Sequence, residues 1–250
     1  FWLKSCKCQK MLHHALPSLV SNFSVFALAY GSVFMIWIFA TRCPLRTWKF
    51  NPSVPPTGLI AKEVGRSMMS VLICCLWDIC ICEARDRGLV SVPDVPYPTS
   101  WPALLATGAD NILLIAVVLL WSDAHFYWVH RLLHESKWLY QNIHKVHHES
   151  FNPDPWSGLS FHPIEAALYF SSLGLVFLIP LPLWLADAMR VGLIIAPIGG
   201  HTGFGHKSFP WGFDHYVHHA KFNFNYGSGL FPCNGIWDNL CSTAFAGKLD

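Results

Sequence analysis

Three short groups of histidines are the residues of this sequence best suited to chemistry. They read HRLLH (His130, His134), HKVHH (His144, His147, His148) and HYVHH (His215, His218, His219). On a helix, residues three or four apart lie about 40–60° from one another around the axis, so each group can present its imidazoles from one face. Two copies of H-x-x-H-H therefore indicate a metal site rather than scattered polar residues.

The histidine count bears on how many ions are bound. Imidazole suits zinc, copper, iron and nickel, so the ligand type alone leaves the metal open. Eight histidines exceed what one octahedral ion accepts, which indicates two ions, or one ion with further histidines that handle protons. His201, which follows a hydrophobic segment, and His162, in FHPIE, could raise the number of ligands to ten.

Other polar residues nearby have weaker interpretations. Asp123 precedes His130 by two helical turns, and it could orient a ligand imidazole as an outer carboxylate; Glu165 could do the same. Solvation is the expectation for Glu149. We expect His125 to pack against its neighbours, whereas His206 fits either a surface or the site. His13 and His14 are expected to lie at the membrane interface without a chemical role.

The composition indicates which elements position these histidines. The sequence has 250 residues, of which 53% are hydrophobic and 13% are charged, whereas a soluble domain carries about 25% charged residues. The charge deficit and the long apolar runs predict an integral membrane protein. A net charge of +2, without a Lys/Arg block, argues against nucleic-acid binding. The nine cysteines do not have the spacing of a disulfide framework or a zinc finger.

Hydrophobic runs predict an all-α protein with about four transmembrane helices. The runs cover residues 23–40, 67–82 (which contains Asp78) and about 103–129. The apolar stretch after Glu165 is interrupted by Pro180 and Pro182, and therefore predicts a helical hairpin with arms ending near 179 and 198. Asp187 and Arg190 are three residues apart on its second arm and can pair.

The loops predict an orientation. Five basic residues and one acid in the 41–66 loop place it in the cytoplasm, and two further crossings return the chain there before His130. The hairpin brings His201 back to the same side. The histidines are therefore expected in a cytosolic helical cap that holds a dimetal site at the membrane surface, beside a lipid-soluble substrate.

The motifs resemble those of the fatty acid hydroxylase/sterol desaturase superfamily, whose members are membrane histidine-box enzymes. The three boxes occur in the family's order, and the flanking segments FYWVHRLLH, NPDPWSGLSFHPIE and FNYGSGLFPCNGIWD are also similar. The resemblance covers about residues 110–250. We accordingly expect N-terminal membrane spans and loops over 1–102 and a catalytic domain over 103–250.

The resemblance implies a non-haem di-iron centre. Its ligands would be the eight box histidines and His201, with His162 as a further candidate seen in sterol-type members, and no catalytic residue beyond the ligands is expected. Iron suits O2-dependent attack on a C–H bond, although zinc could occupy the same ligands in purified protein. The implied reaction is hydroxylation or desaturation of a sterol or fatty acyl lipid in the endoplasmic reticulum. Electrons would come from cytochrome b5 or a reductase, since the sequence contains no G-x-G-x-x-G or haem motif.

Two alternatives remain from the sequence. A membrane metal transporter or storage protein could use the same histidines, but it would need ligands along a path through the bilayer, whereas these cluster beyond the ends of the spans. A catalytically inactive member of the family could retain the fold, although all eight box histidines are present. The sequence does not distinguish a sterol from an acyl chain, a sphingoid base or an alkane.

Overall fold

The computed structural model describes residues 2–93, 95–205, 212–227 and 234–246, with side chains from His13 onward. Within these ranges the chain is helical, and its one β-bridge joins Lys49 and Phe204. The α-helices are α1 (Trp2–Arg42), α2 (Thr57–Asp86), α3 (Trp101–Asp110), α4 (Ile112–Glu135), α5 (Lys137–Asn142), α6 (Pro163–Phe170), α7 (Leu183–His201), α8 (Phe213–Lys221) and α9 (Asn234–Leu240). The 3-10 helices are Pro44–Trp48, His144–Glu149, Pro155–Leu159 and Ser171–Phe177.

Four helices are long and apolar enough to cross a membrane: α1 from His13, α2, α4 and α7. Their outer faces expose large apolar side chains, among them Leu28, Phe39 and Leu113, which water would not favour and lipid would. The predicted all-α integral membrane protein with about four transmembrane helices is confirmed.

The predicted third span, 103–129, is interrupted in the structure. Helix α3 ends at Asp110 and α4 begins at Ile112, because Asn111 leaves helical geometry at φ −111°, ψ 16°. Its side-chain amide donates to the carbonyl of Thr107 at 2.9 Å. The local sequence TGADN consists largely of weak helix formers, some of which prefer to hydrogen-bond nearby backbone. From Ile112 onward the helix continues unbroken into the first histidine box, as predicted.

The predicted hairpin is present, but its arms differ in kind. The first arm continues from α6 into the 3-10 helix Ser171–Phe177, and the second arm is α7. A 3-10 helix rises about 2.0 Å per residue against 1.5 Å in an α-helix, so the shorter first arm reaches about 26 Å and α7 about 28 Å. The stretched 3-10 geometry gives the two arms nearly the same length.

One cluster of charged and polar side chains joins α1, α2 and α7. Arg190 on α7 contacts Asp187 at 3.0 Å and Asp78 on α2 at 3.9 Å, and its guanidinium donates to the side-chain oxygen of Asn22 on α1. The predicted Asp187–Arg190 pair is confirmed. Asp78 faces this polar interior instead of lipid, which lowers the cost of a charge at membrane depth.

Pro197 in α7 leaves one backbone carbonyl of that helix without its usual donor, and a side chain of α6 supplies the hydrogen bond. Pro197 lacks an N–H, so the carbonyl of Leu193 loses its partner within the helix. The hydroxyl of Tyr169 on α6 donates to that carbonyl at 2.8 Å. The second arm of the hairpin is thereby fixed against the first, near the end of α7 that carries His201.

The loop between α1 and α2 packs at the histidine end of the bundle. The ammonium of Lys49 donates to the side-chain oxygen of Asn152 at 2.6 Å, and Phe50 N–H donates to the carbonyl of Gly203 at 3.0 Å. Gly203 has φ 67°, and a Cβ there would lie 3.0 Å from the carbonyl oxygen of Pro153, so glycine permits this close approach. As expected, this loop and the histidines share one end of the bundle.

Candidate metal centre

Nine histidines converge in two clusters, each of which could hold a metal ion. Group one contains His130, His134, His144, His148 and His218. Group two contains His147, His201, His215 and His219. Within each group, the nitrogens that each side chain offers lie within 4.8 Å of one another. The structure thus brings together nine of the ten histidines that the sequence singled out.

The first and third boxes lie on α-helices, at the end of α4 and along α8, and His201 is the last residue of α7. The second box forms the 3-10 helix His144–Glu149. In a 3-10 helix, residues three apart lie above one another at a spacing of about 6 Å. His144 and His147 therefore point the same way from successive turns, and each enters a different group.

The boxes and the groups do not correspond one to one. Each box contributes a pair four residues apart to one group: His130 with His134 and His144 with His148 to group one, and His215 with His219 to group two. The middle histidines cross over, so that His147 joins group two and His218 joins group one. The second and third boxes therefore divide their imidazoles between the two groups, which the expected common face did not specify.

The spacing of the nitrogens suits coordination. Neighbouring Nε2 atoms are 3.1–3.2 Å apart in group one and in group two. Adjacent imidazoles that bind one ion at about 2.1 Å have nitrogens about 3.0–3.4 Å apart for octahedral to tetrahedral angles. The donor set therefore fits one ion in each group.

Outer acceptors hold several of these rings. Nδ1 of His144 contacts a carboxylate oxygen of Glu165 at 2.7 Å, as the sequence had suggested for that acid. The Nδ1 atoms of three others face backbone carbonyls: His130 faces Tyr226 at 2.7 Å, His201 faces Pro197 at 2.6 Å and His218 faces Phe224 at 2.7 Å. With Nδ1–H donating outward, Nε2 keeps its lone pair toward the group.

Burial keeps the rings outside the spans neutral. It lowers the pKa of six histidines well below the usual range, and neighbouring imidazoles lower it further: His144, His147, His148, His215, His218 and His219. Neutral imidazole is the form that binds metal. The neutral rings can therefore pack closely without repelling one another, and they are in the protonation state that binds a metal ion.

Two small features let the rings pack this closely. Gly200 faces the ring of His215, and a Cβ at this position would lie 3.0 Å from its Cδ2 atom. Asp238 accepts from the backbone N–H groups of Tyr226 and Gly227, both at 2.9 Å. It thereby fixes the loop whose carbonyls bind His130 and His218. In the sequence, nothing marks Asp238 for this role beyond its place in the segment NGIWD.

Several candidates lie outside both groups. His162 caps α6 instead, with Nδ1 accepting from Ile164 N–H at 3.2 Å, so the structure does not place it with the metal-site histidines. His125 contacts the hydroxyl of Ser171 at 2.9 Å, in keeping with a packing role. Asp123 is buried, and neither of its carboxylate oxygens forms a hydrogen bond with a histidine of either group.

The remaining polar candidates lie at the surface or outside the described residues. Glu149 is partly exposed and pairs with Arg66 at 2.9 Å. His14 contacts Asp86 at 2.8 Å, at the opposite end of the bundle. His206 lies outside the described residues.

An apolar cavity of about 620 Å³ opens beside the two groups, within the usual size range of small-molecule sites. Its walls follow one face of α4 from Ile115 to Leu133 and most of α7 from Trp184 to His201. Each stretch corresponds to about 25 Å of helix. Five site histidines form its polar end: His130, His144, His147, His201 and His215.

Comparison with known proteins agrees with this geometry. The fatty acid hydroxylase family model matches residues 115–243, just over half of the chain and all three boxes. The chain is 29% identical over 164 residues to the Delta(7)-sterol 5(6)-desaturase ERG3B of Gibberella zeae, covering 62% of this chain and 47% of that protein. It is 35% identical over 137 residues to methylsterol monooxygenase 2-2 of Arabidopsis thaliana, covering 53% and 45%.

A third relative, the Delta(7)-sterol 5(6)-desaturase of Leptosphaeria maculans, is 34% identical over 136 residues, covering 52% of this chain and 36% of that protein. The chain thus spans half or less of the length of these three curated relatives. No solved structure matches. The family match contains the two histidine groups and the helices that position them, and the chain belongs to the fatty acid hydroxylase/sterol desaturase superfamily.

Proposed function

We propose that the protein is a membrane-bound, O2-dependent lipid oxidoreductase, in which nine histidines hold two iron ions. One observation carries the proposal: two histidine groups with metal-ligand spacing form the end wall of an apolar cavity between α4 and α7. A structural metal site would not require such a cavity. A transport site would require ligands through the bilayer, whereas the described ligands lie together at one end of the bundle.

Iron in groups one and two would supply O2 activation for attack on an unactivated C–H bond. The chain's own residues would do the positioning. Glu165 and the carbonyls of Pro197, Phe224 and Tyr226 hold the imidazoles in fixed orientations, so little reorganisation accompanies the reaction. The apolar walls exclude water from the reactive end of the cavity.

The cavity walls would also select the carbon that reacts. Phe126, Val129 and Leu133 on α4 face the cavity close in sequence to His130, and Phe161 packs its ring 5.1 Å from that of His147. A rigid lipid held between these side chains can bring only one part of its skeleton to the histidine end. Placement of one C–H bond against the centre is the protein's main contribution to specificity.

We infer a sterol as the substrate class and residues 103–250 as the catalytic domain. The named relatives are sterol desaturases and a methylsterol monooxygenase, and the cavity is long, apolar and of ligand size. The reaction would be hydroxylation or desaturation. The membrane would be the endoplasmic reticulum, with the histidine end in the cytosol.

Electrons must be supplied from outside the chain. Hydroxylation consumes one C–H bond, O2, two electrons and two protons, and yields an alcohol and water. Desaturation consumes two C–H bonds with the same O2, electrons and protons, and yields an alkene and two waters. Cytochrome b5 or a reductase is the proposed donor, because the sequence carries no flavin, nicotinamide or haem motif.

The test combines lipid and metal analysis. Membranes of a sterol-producing host are compared by mass spectrometry with the wild-type chain, with His147→Ala and with no chain, and the purified proteins are analysed for bound metal. We expect a new hydroxylated or unsaturated sterol only with the wild type, and iron in the purified protein. Bound metal without any lipid product would instead support a metal-binding protein, and absence of bound metal would contradict the di-iron proposal.

A further inference from the structure

The nine site histidines divide between two faces of the centre. Five of them line the apolar cavity, as described above. The other four, His134, His148, His218 and His219, do not line it. His134 is the only one of the nine that is not fully buried. The lipid side and the most accessible side of the centre are therefore different.

Aromatic residues connect this second side to the surface. The ring of Phe222 lies 5.0 Å from that of His148, and Phe222 is itself 37% exposed. Tyr140 lies 5.4 Å from His134 and 6.2 Å from Phe222. Group one therefore approaches the surface on the side that carries Tyr140 and Phe222.

Phe222 has a strained backbone conformation. Its φ is 61° and ψ is −45°, and Asn223 N–H donates to the carbonyl of Lys221 at 2.7 Å across it. This is a classic γ-turn, which is rare and strained for a residue with a bulky side chain. Such strain is maintained where surrounding structure requires the conformation and is concentrated at functional positions. Here the conformation sets an aromatic ring directly over a site histidine.

Three exposed lysines lie close in sequence to the aromatic residues and histidines of this side. Lys137 is three residues before Tyr140, Lys145 three before His148, and Lys221 directly before Phe222; all three are exposed. Within the described part of the chain, none of them forms an ion pair. The nearby acids are already engaged, Glu135 with Arg131 at 2.7 Å and Glu149 with Arg66 at 2.9 Å. This leaves a surplus of positive charge around exposed aromatic rings.

We propose that this outer face, comprising Tyr140 and Phe222 with Lys137, Lys145 and Lys221, is the docking surface for an acidic one-electron carrier protein. The inference rests on the proposed function, which requires two electrons per turnover. Tunnelling rates fall steeply with distance, so a carrier must dock where the centre is nearest the surface. Exposed aromatic residues with a charged rim are typical of protein interfaces, and charge complementarity speeds association. A carrier docked there would lie against Phe222, whose ring is 5.0 Å from that of His148 in group one.

The test measures electron delivery without lipid turnover. Iron-loaded protein in neutral detergent is mixed anaerobically with a chemically reduced, acidic plant-type ferredoxin, and ferredoxin oxidation is followed by stopped-flow absorbance. The variant Lys137→Glu/Lys221→Glu reverses two charges on the outer face. The matched control, Arg85→Glu/Arg87→Glu, makes the same change in net charge at the far end of α2.

We expect the outer-face variant to lower the bimolecular rate constant at low salt by about tenfold or more and to weaken its salt dependence. The control should match the wild type, and dithionite should reduce all three proteins at similar rates, which shows that the metal centre is intact. Equal ferredoxin rates in the two variants would overturn the docking surface and leave the proposed function standing. A protein that binds no iron would overturn both.

Anionic lipid headgroups could also attract these lysines. A second experiment distinguishes binding to lipid from binding to the carrier protein. Binding of each variant to neutral vesicles and to vesicles containing phosphatidylserine is compared. If the outer-face variant loses only its binding to phosphatidylserine and keeps its ferredoxin rate, the lysines contact the membrane and the proposal is wrong. If vesicle binding is unchanged and the ferredoxin rate falls, the docking surface is supported.

Discussion

Nδ1 of His144 lies 2.7 Å from a carboxylate oxygen of Glu165, and both side chains are buried. This hydrogen bond fixes the ring and increases the basicity of Nε2, the atom that faces group one. We expect Glu165→Gln to weaken metal binding in group one by about 10- to 100-fold, measured by competition with a chelator. Glu149→Gln, which changes an acid paired at the surface, is the matched control. Equal affinities in both variants would contradict the role of Glu165.

Because His147 belongs to group two and His218 to group one, the structure predicts which pairs of substitutions remove one ion and which weaken both. His144→Ala/His218→Ala changes two boxes but only group one, so the protein should still bind one ion, in group two. His144→Ala/His147→Ala changes one box but both groups, so it should weaken both ions. Metal stoichiometry of the purified variants distinguishes these outcomes. If the first pair loses both ions and the second loses one, the ions are instead organised box by box.

Asp238 predicts a remote effect on group one. Its carboxylate accepts from the N–H groups of Tyr226 and Gly227 and from the hydroxyl of Thr243. Asp238→Ala would leave the two N–H groups without their acceptor and release the carbonyls that hold His130 and His218. We expect a loss of about 2 kcal/mol or more in stability and preferential loss of metal from group one. The neighbouring Asn239→Ala, at an exposed position, should change neither thermal unfolding nor metal content.

The cavity can be narrowed without touching a metal-site histidine. Gly192 lines it, and a Cβ built there meets no atom within 4 Å. Gly192→Phe should therefore place its ring in the cavity and lower kcat/KM for a sterol by about tenfold or more, with metal content unchanged. Gly31 on α1 is equally open but does not line the cavity. Gly31→Phe should thus retain turnover, and a comparable loss in both variants would argue against this cavity as the substrate site.

Lys49 predicts a dependence of stability on pH. Burial lowers its pKa in the folded protein from 10.5 to about 8, partly offset by Asp154. Between these two values the unfolded chain binds more protons than the folded one, so the free energy of unfolding from Lys49 rises with pH. The wild-type Tm should therefore increase relative to that of Lys49→Met from pH 7.5 to pH 10. A constant difference across this range would show that Lys49 titrates normally.

The sequence predicted the spans and the site histidines well because both depend on local patterns. Apolar runs located α1, α2, α4 and α7, and the three histidine boxes together identified eight of the nine converging histidines. The break at Asn111 and the 3-10 arm after Phe170 could not be predicted in the same way. Each alters helix geometry without changing the hydrophobicity that marks a span.

The division of the histidines into two groups was also beyond the sequence. Assuming α-helical spacing, His144, His147 and His148 share a face; the 3-10 geometry places His144 and His147 one turn apart, so they reach different ions. The prediction of His162 as a further metal ligand also depended on local geometry that the sequence does not show. FHPIE resembles a ligand motif, but the proline begins α6, and the histidine before it serves as the helix cap.

Because the second and third boxes contribute histidines to both groups, binding of the two metal ions is expected to be coupled. The short turn His144–Glu149 carries ligands for both ions, and so does α8. The first ion to bind would restrict the motion of both segments, and the second would then meet ligands whose conformational entropy has already been lost. Metal loading is therefore expected to be positively cooperative, with few singly loaded molecules at half saturation.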